Sequence, residues 1–199
     1  MDASPISGRD PALPEPRYGG FWIRLAAGIL DTLIFFPISA LVLWGPHGSR
    51  GVVLSTVFLS HFGYAAFVIY CVGRWGGTPG KLIVGLQIVR TDLQRAGWKE
   101  AWARHSVDLA FSIVGFGQYM YSLQQIPDHT IAELTRSQLS QELSKLDRLP
   151  DTIMLWAGQI WIWGELIVLL SNRQRRALHD FIAGTVVIRK RPPRQKFTG

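Results

Sequence analysis

Two ionisable side chains stand inside the first apolar stretch of the chain, Gly20 to Trp44: Arg24 near its start and Asp31 near its middle. Seven residues are about two helical turns, so the pair falls near one face, about 10.5 Å apart along the axis. A carboxyl in the interior of a membrane helix is costly to keep there. It marks a cation or proton site, or a structural hydrogen bond to a neighbouring helix. Arg24 has a plainer use as a flanking cation that snorkels to headgroups. Ala27 and Gly28 lie between the two on the same face, where a neighbouring helix could come close.

The later apolar stretches carry candidates of their own. His61 sits at mid-depth in the second and is expected to be a hydrogen-bonded packing residue. It would join a proton relay only if it faced a carboxyl. Asp108 lies four residues after Arg104, and the expected partnership is that i,i+4 pair. Glu165, about a turn and a half from the end of the fourth stretch at Ser171, is within reach of an arginine in the tail; a helix interface and an ion pathway are equally open to it. Enzyme constellations are absent. The five histidines (47, 61, 105, 129, 179) form no HExxH or other ligand spacing, and no GxSxG occurs. The run Gly76-Gly77-Thr78-Pro79-Gly80-Lys81 superficially suggests a phosphate loop, but it lacks GxxxxGK[ST] and a leading strand. No catalytic role, cofactor or metal is expected. The lone Cys71 excludes an intramolecular disulfide and a cysteine metal cluster, and reads as a small buried apolar residue.

These residues must be positioned by membrane helices. The chain has 199 residues and 48% hydrophobic content, but its apolar residues are gathered into four blocks with the charges pushed between them. That is the membrane pattern. The net charge of +7 and the pI near 10.0 come from basic residues flanking those blocks, which points to anionic lipid headgroups as partner and not to nucleic acid. The expected spans are 21–44, 51–73, 106–123 and 152–170. Pro37 should loosen the second half of the first. Residues 1–19 are Pro-rich and polar, and the first 17 are expected to form a disordered tail. A membrane domain follows over 18–190, then a basic tail over 191–199. No cleaved signal peptide is expected, because the first block is long for one.

Between the spans, Gly76 to Gly80 reads as a turn or re-entrant bend, and Leu82–Val89 and Thr185–Ile188 are β-rich. They are expected to pair as a two-stranded element. The segment Leu134–Leu146 reads as a short amphipathic surface helix. Lys and Arg number six in 74–104 and eight in 171–199, against one in 45–50 and three in 124–151. The positive-inside rule then puts both termini and the middle loop in the cytoplasm. The expected fold is an all-α integral membrane protein: a four-transmembrane-helix bundle in the plasma (inner) membrane, with a small cytoplasmic cap.

Three segments in order, GFWIRLAAGILD, GGTPGKLIVGLQIV and RQRRALHDFIAGTVVI, resemble the successive signatures of RDD family membrane proteins. The likeness runs from about Tyr18 to Arg189. The family takes its name from one arginine and two aspartates, which the motifs match to Arg24, Asp31 and Asp180. Arg104, in WARHSVDL, matches a further basic position. The polar 124–151 segment departs from the common pattern by stretching one loop. The resemblance implies transport of unidentified ligands, monovalent cation/proton exchange among them. Asp31 would then be the ion or proton carboxylate, Arg24 its electrostatic partner or gate, and Asp180 a cytoplasmic latch. Four short helices enclose little space, so a transport path calls for a homodimer or larger assembly. The alternative is a non-catalytic membrane scaffold or assembly factor, in which the same residues only hold the first helix to the cap.

Overall fold

A computed structural model describes residues 16–44, 48–146 and 149–190; the expected basic tail over 191–199 and most of the expected N-terminal tail lie outside the described residues. The first apolar block forms α1 (Phe21–Trp44), which continues through Pro37. Its 24 residues extend about 36 Å, enough to cross a hydrocarbon core. The second block is one helical rod in three pieces: α2 (Arg50–Phe58), a π-helical turn over Leu59–Gly63, and α3 (Tyr64–Trp75). Ser49 starts it by accepting the Val52 amide on its hydroxyl at 3.3 Å. Gly76, at φ +76, ends it by turning back so that its amide reaches the Val72 carbonyl at 2.9 Å.

The bend expected over Gly76–Gly80 holds a short helix, α4 (Pro79–Ile83), with Pro79 at a favourable first position. The β-rich run therefore becomes strand only at β1 (Leu86–Arg90). The helix that carries the expected third span starts before residue 106: α5 covers Trp98–Leu123. Its first two turns are amphipathic, burying Ala101 and Arg104 and exposing Trp98 and Trp102, so hydropathy alone does not pick them out. Glu100 closes its start by accepting the Gly97 amide at 2.8 Å.

After α5 the polar segment holds two short helices, α6 (Asp128–Glu133) and α7 (Arg136–Ser144), where one was expected. They cover an end of the bundle through Ile131 and Leu139, which pack with Val53, Leu123 and Ile126. Arg50 pins this end. It donates to the Leu123 and Ile126 carbonyls at 2.6 and 2.7 Å and pairs with Asp128 at 2.7 Å. Then come α8 (Leu149–Ser171), α9 (Leu178–Ile182) and β2 (Thr185–Arg189).

The two strands pair as expected, and they run antiparallel, with Ile88 opposite Val187 at the centre. The polar leader is not free to its end: Tyr18 bridges to Ile188, and the Arg17 carbonyl accepts the Arg189 amide at 2.8 Å. The sheet with α4 and α9 forms the cap. Its core is Leu86, Ile88 and Val187, packed on Ala27, Val68, Val72 and Ala101 of the helices.

Along the helices many apolar side chains face outward. Ile160, Trp156 and Ile167 of α8 are each more than 60% exposed, as are Leu33 of α1 and Ile113 of α5. Such surface suits lipid as solvent and would aggregate in water. Among the described residues, two helical stretches, Arg50–Ile83 and Asp151–Ser171, are long and apolar enough to cross a membrane by length and composition.

Candidate functional site

Asp31 is buried, and both of its carboxylate oxygens are occupied. Oδ2 accepts the Thr78 hydroxyl at 2.6 Å and Oδ1 accepts the Gly80 amide at 2.7 Å. Thr78 is the N-cap of α4 and makes no side-chain cap of its own. Asp31 does that work from another helix, satisfying an amide that the first turn leaves without a partner. The approach is close because Gly80 has no side chain. An added Cβ would overlap the Ala27 carbonyl oxygen and stand 2.9 Å from both the Asp31 Cγ and its amide nitrogen. Ala27 is thus the small residue that lets a neighbour come near, as expected, whereas Gly28 faces outward.

Arg24 points the other way, into the cap. Its guanidinium donates to the Gly19 carbonyl at 2.9 Å, the Arg175 carbonyl at 2.5 Å and Asp180 Oδ2 at 2.9 Å. Arg24 and Asp31 share no hydrogen bond or ion pair. Asp180 is fully buried and also receives Arg104, whose Nη1 reaches Oδ1 and the Thr185 hydroxyl. The same carboxylate accepts the Ala177 amide at 3.0 Å, capping α9. Burial alone would raise the Asp180 carboxyl; Arg104, then His179 and Arg24, overcome this and hold it well below the usual carboxylate range.

Arg104 donates to His179 Nε2 at 2.6 Å. A guanidinium can only donate, so Nε2 is the acceptor and the proton sits on Nδ1. Nδ1 in turn donates to Glu165 at 2.6 Å, and the same Glu165 oxygen takes the His179 amide at 3.0 Å. A continuous line of polar contacts therefore runs Glu165, His179, Arg104, Asp180, Arg24, joining α8, α9, α5 and α1.

Two expectations change and a third stands. Arg104 does not pair with Asp108; it is spent on the buried Asp180, and the exposed Asp108 lies against His105 at 3.3 Å. A fully buried carboxylate has no water to fall back on, so it holds the cation that an exposed one can do without. Glu165 finds His179 in the tail and not an arginine. His61 faces no carboxyl: its Nδ1 lies 2.9 Å from the Val57 carbonyl one turn back, the packing role expected of it.

The partners Thr78, Gly80 and His179 were not singled out by residue type. A signal for them exists in the sequence. Pro79–Ile83, one residue, Gly85 and a five-residue strand repeat as Leu178–Ile182, one residue, Gly184 and a five-residue strand. Both glycines have positive φ, +75 and +63. In this alignment Gly80 corresponds to His179. The amide of each is taken by a carboxylate from a long helix, Asp31 on α1 and Glu165 on α8. The cap is two like helix–glycine–strand units, each with an amide held by an acid from a long helix.

The His179 imidazole gives the cap a pH dependence. Burial and then Arg104 hold it below its ordinary value, against the opposing pull of Glu165 and Asp180. The unfolded histidine takes a proton below about pH 6.5 while the folded one resists it, so stability falls as pH drops through that region. The slope is at most about 1.4 kcal/mol per pH unit. Melting midpoints of the detergent-purified protein should decline between pH 7.5 and 5.5, and His179→Gln should flatten that decline; equal slopes would contradict the neutral tautomer.

Searches of characterised proteins and of solved structures return no match. The motifs that converge on the cap are those of one family, the RDD family, which the sequence matches over residues 18–184, and the chain belongs to it as an RDD family membrane protein.

Proposed function

We propose that this protein is a non-catalytic membrane scaffold or assembly factor whose arginine and aspartates build a rigid platform on the bundle. The platform lies on the cytoplasmic side of the plasma (inner) membrane. The observation that carries this reading is the Asp31 carboxylate, buried with both oxygens taken by Thr78 and Gly80. A transported cation or proton would have to displace two short hydrogen bonds and unseat α4, which makes Asp31 a poor transit site. The orientation rests on the loops. With α1, the α2–α3 rod, α5 and α8 as spans, the basic segments 74–104 and 171–190 fall on the cap side, as the positive-inside rule requires.

A second reading, monovalent cation/proton exchange, has one observation in its favour. Glu165 lies on a membrane-length helix and accepts a hydrogen bond from His179. One experiment separates the two. Purified protein is reconstituted into proteoliposomes, pH-dependent Na⁺ and K⁺ flux is measured, and Asp31→Asn and Glu165→Gln are compared with wild type. The scaffold reading expects flux equal to empty vesicles for all three. It also expects Asp31→Asn to melt earlier by about 1–3 kcal/mol of lost stability, since one oxygen of the buried acceptor pair becomes a donor facing a donor. Wild-type flux above background that Glu165→Gln abolishes would establish exchange instead.

A further inference from the structure

A second polar feature lies toward the end of the bundle away from the cap. Ser39 on its wall is about 22 Å along α1 from Arg24. A cavity of about 560 Å³ opens there between α1, the π-helical turn and α5, beneath the start of α7. Its lining is mainly apolar. Phe35 forms the inner wall, in edge contact with Tyr64 at 5.0 Å and Phe67 at 4.5 Å. The π turn widens the rod at this level, a distortion that recurs at functional sites. Leu59, Gly63 and Tyr64 line the space.

Arg136 stands on the cavity wall at the first position of α7. It is half-buried, and among the described residues its guanidinium has no hydrogen bond and no ion pair. Its counterparts behave differently. Arg24, Arg50, Arg104 and Arg176 are also buried or half-buried, and each donates to carboxylates or carbonyls. An arginine left without a partner beside an apolar cavity in a lipid-facing protein fits one kind of molecule: an apolar chain carrying an anionic head. The planar fork of the guanidinium matches a phosphate, and a bilayer lipid can enter sideways.

We propose that this cavity is a binding site for an anionic phospholipid, with one acyl chain against Phe35, Leu59 and Phe67 and the phosphate on Arg136. The site is remote from the cap, so it stands whether the protein scaffolds or exchanges.

The test uses the full chain in nanodiscs doped with phosphatidylglycerol bearing a diazirine on one acyl chain, with the adducts mapped by mass spectrometry. Adducts should concentrate on residues 35–39 and 57–67. Photoreactive phosphatidylcholine, which has the same phosphate but a choline cation that offsets its charge, should label these segments about tenfold less, the ratio that about 1.4 kcal/mol of net charge attraction gives. Arg136→Gln should lower phosphatidylglycerol adducts there to the same extent. Ser39→Trp, which fills the cavity and leaves Arg136 in place, should lower them too. Lys145→Gln, an exposed cation paired with Glu142, should not. All three variants should keep the wild-type melting midpoint, which separates lost binding from lost fold. Equal labelling by phosphatidylcholine, labelling unchanged in Arg136→Gln, or displacement by oleate at lower concentration than by phosphatidylglycerol would each overturn the assignment.

Discussion

Replacing Gly80 by alanine is expected to prevent stable accumulation of the protein, while Pro79→Ala, one residue away, is expected to be tolerated. The added methyl group has no room. It would overlap the Ala27 carbonyl oxygen and press on the backbone and carboxyl of Asp31. These are parts of a rigid helix, and none is the far end of a flexible side chain. Overpacking of this kind typically costs about 1–3 kcal/mol. Moving α4 away to relieve it would also strip the Asp31 carboxylate of the Thr78 and Gly80 donors, a further loss of about 1–3 kcal/mol for a buried acceptor left unsatisfied. Together the loss is roughly 2–6 kcal/mol, a large part of the stability of a typical domain. Fluorescence-detected size exclusion of a tagged chain should show a monodisperse peak for wild type and Pro79→Ala and none for Gly80→Ala. A Gly80→Ala protein that elutes and melts like wild type would mean that α4 is not seated on α1.

Much of the cap was legible from pattern alone. The two β-rich runs announced a pair of strands, and the matching motifs placed Arg24, Arg104 and Asp180 among the residues to watch. The partnerships were less legible, because local spacing and tertiary geometry disagree here. Arg104 and Asp108 have the spacing of an ion pair, yet the guanidinium turns to Asp180, which is far away in sequence and wholly buried. Asp31 read as an ion site or a hydrogen bond to an unnamed neighbouring helix, because its donors come from a segment that looks like a turn. Only the fold shows that this turn contains a helix whose N-terminus meets α1. The lone charge that suggested an ion site is the cap of a neighbouring helix. Hydropathy likewise undercounted α5, since Arg104 is buried by the cap and not by apolar neighbours in sequence.

Asp180→Asn is expected to have an effect as large as Gly80→Ala, by an electrostatic route. Asparagine fits the space and can still accept the Ala177 amide, so the α9 cap survives in part. What is lost is the one negative charge that, among the described residues, pairs with both the half-buried Arg24 and the buried Arg104. Removing one partner of a buried pair costs about 3–5 kcal/mol, because the cation stays behind without water or counterion. Here two cations stay behind, and Glu165 reaches them only through His179. Asp108→Asn is the matched control: that carboxylate is exposed, and its loss should stay within about 0.5 kcal/mol. Arg104→Met combined with Asp180→Asn should be less harmful than the sum of the two single changes, with a coupling of at least 1 kcal/mol. Melting midpoints of the four variants in one detergent decide the matter. If Asp180→Asn matched Asp108→Asn, the charge network would be incidental, and the cap would be held by the apolar contacts of Leu86, Ile88 and Val187 alone. If the coupling appears, Arg24, Arg104 and Asp180 form one clamp, and attachment of the cap to α1 depends on a charge that the bundle itself neutralises.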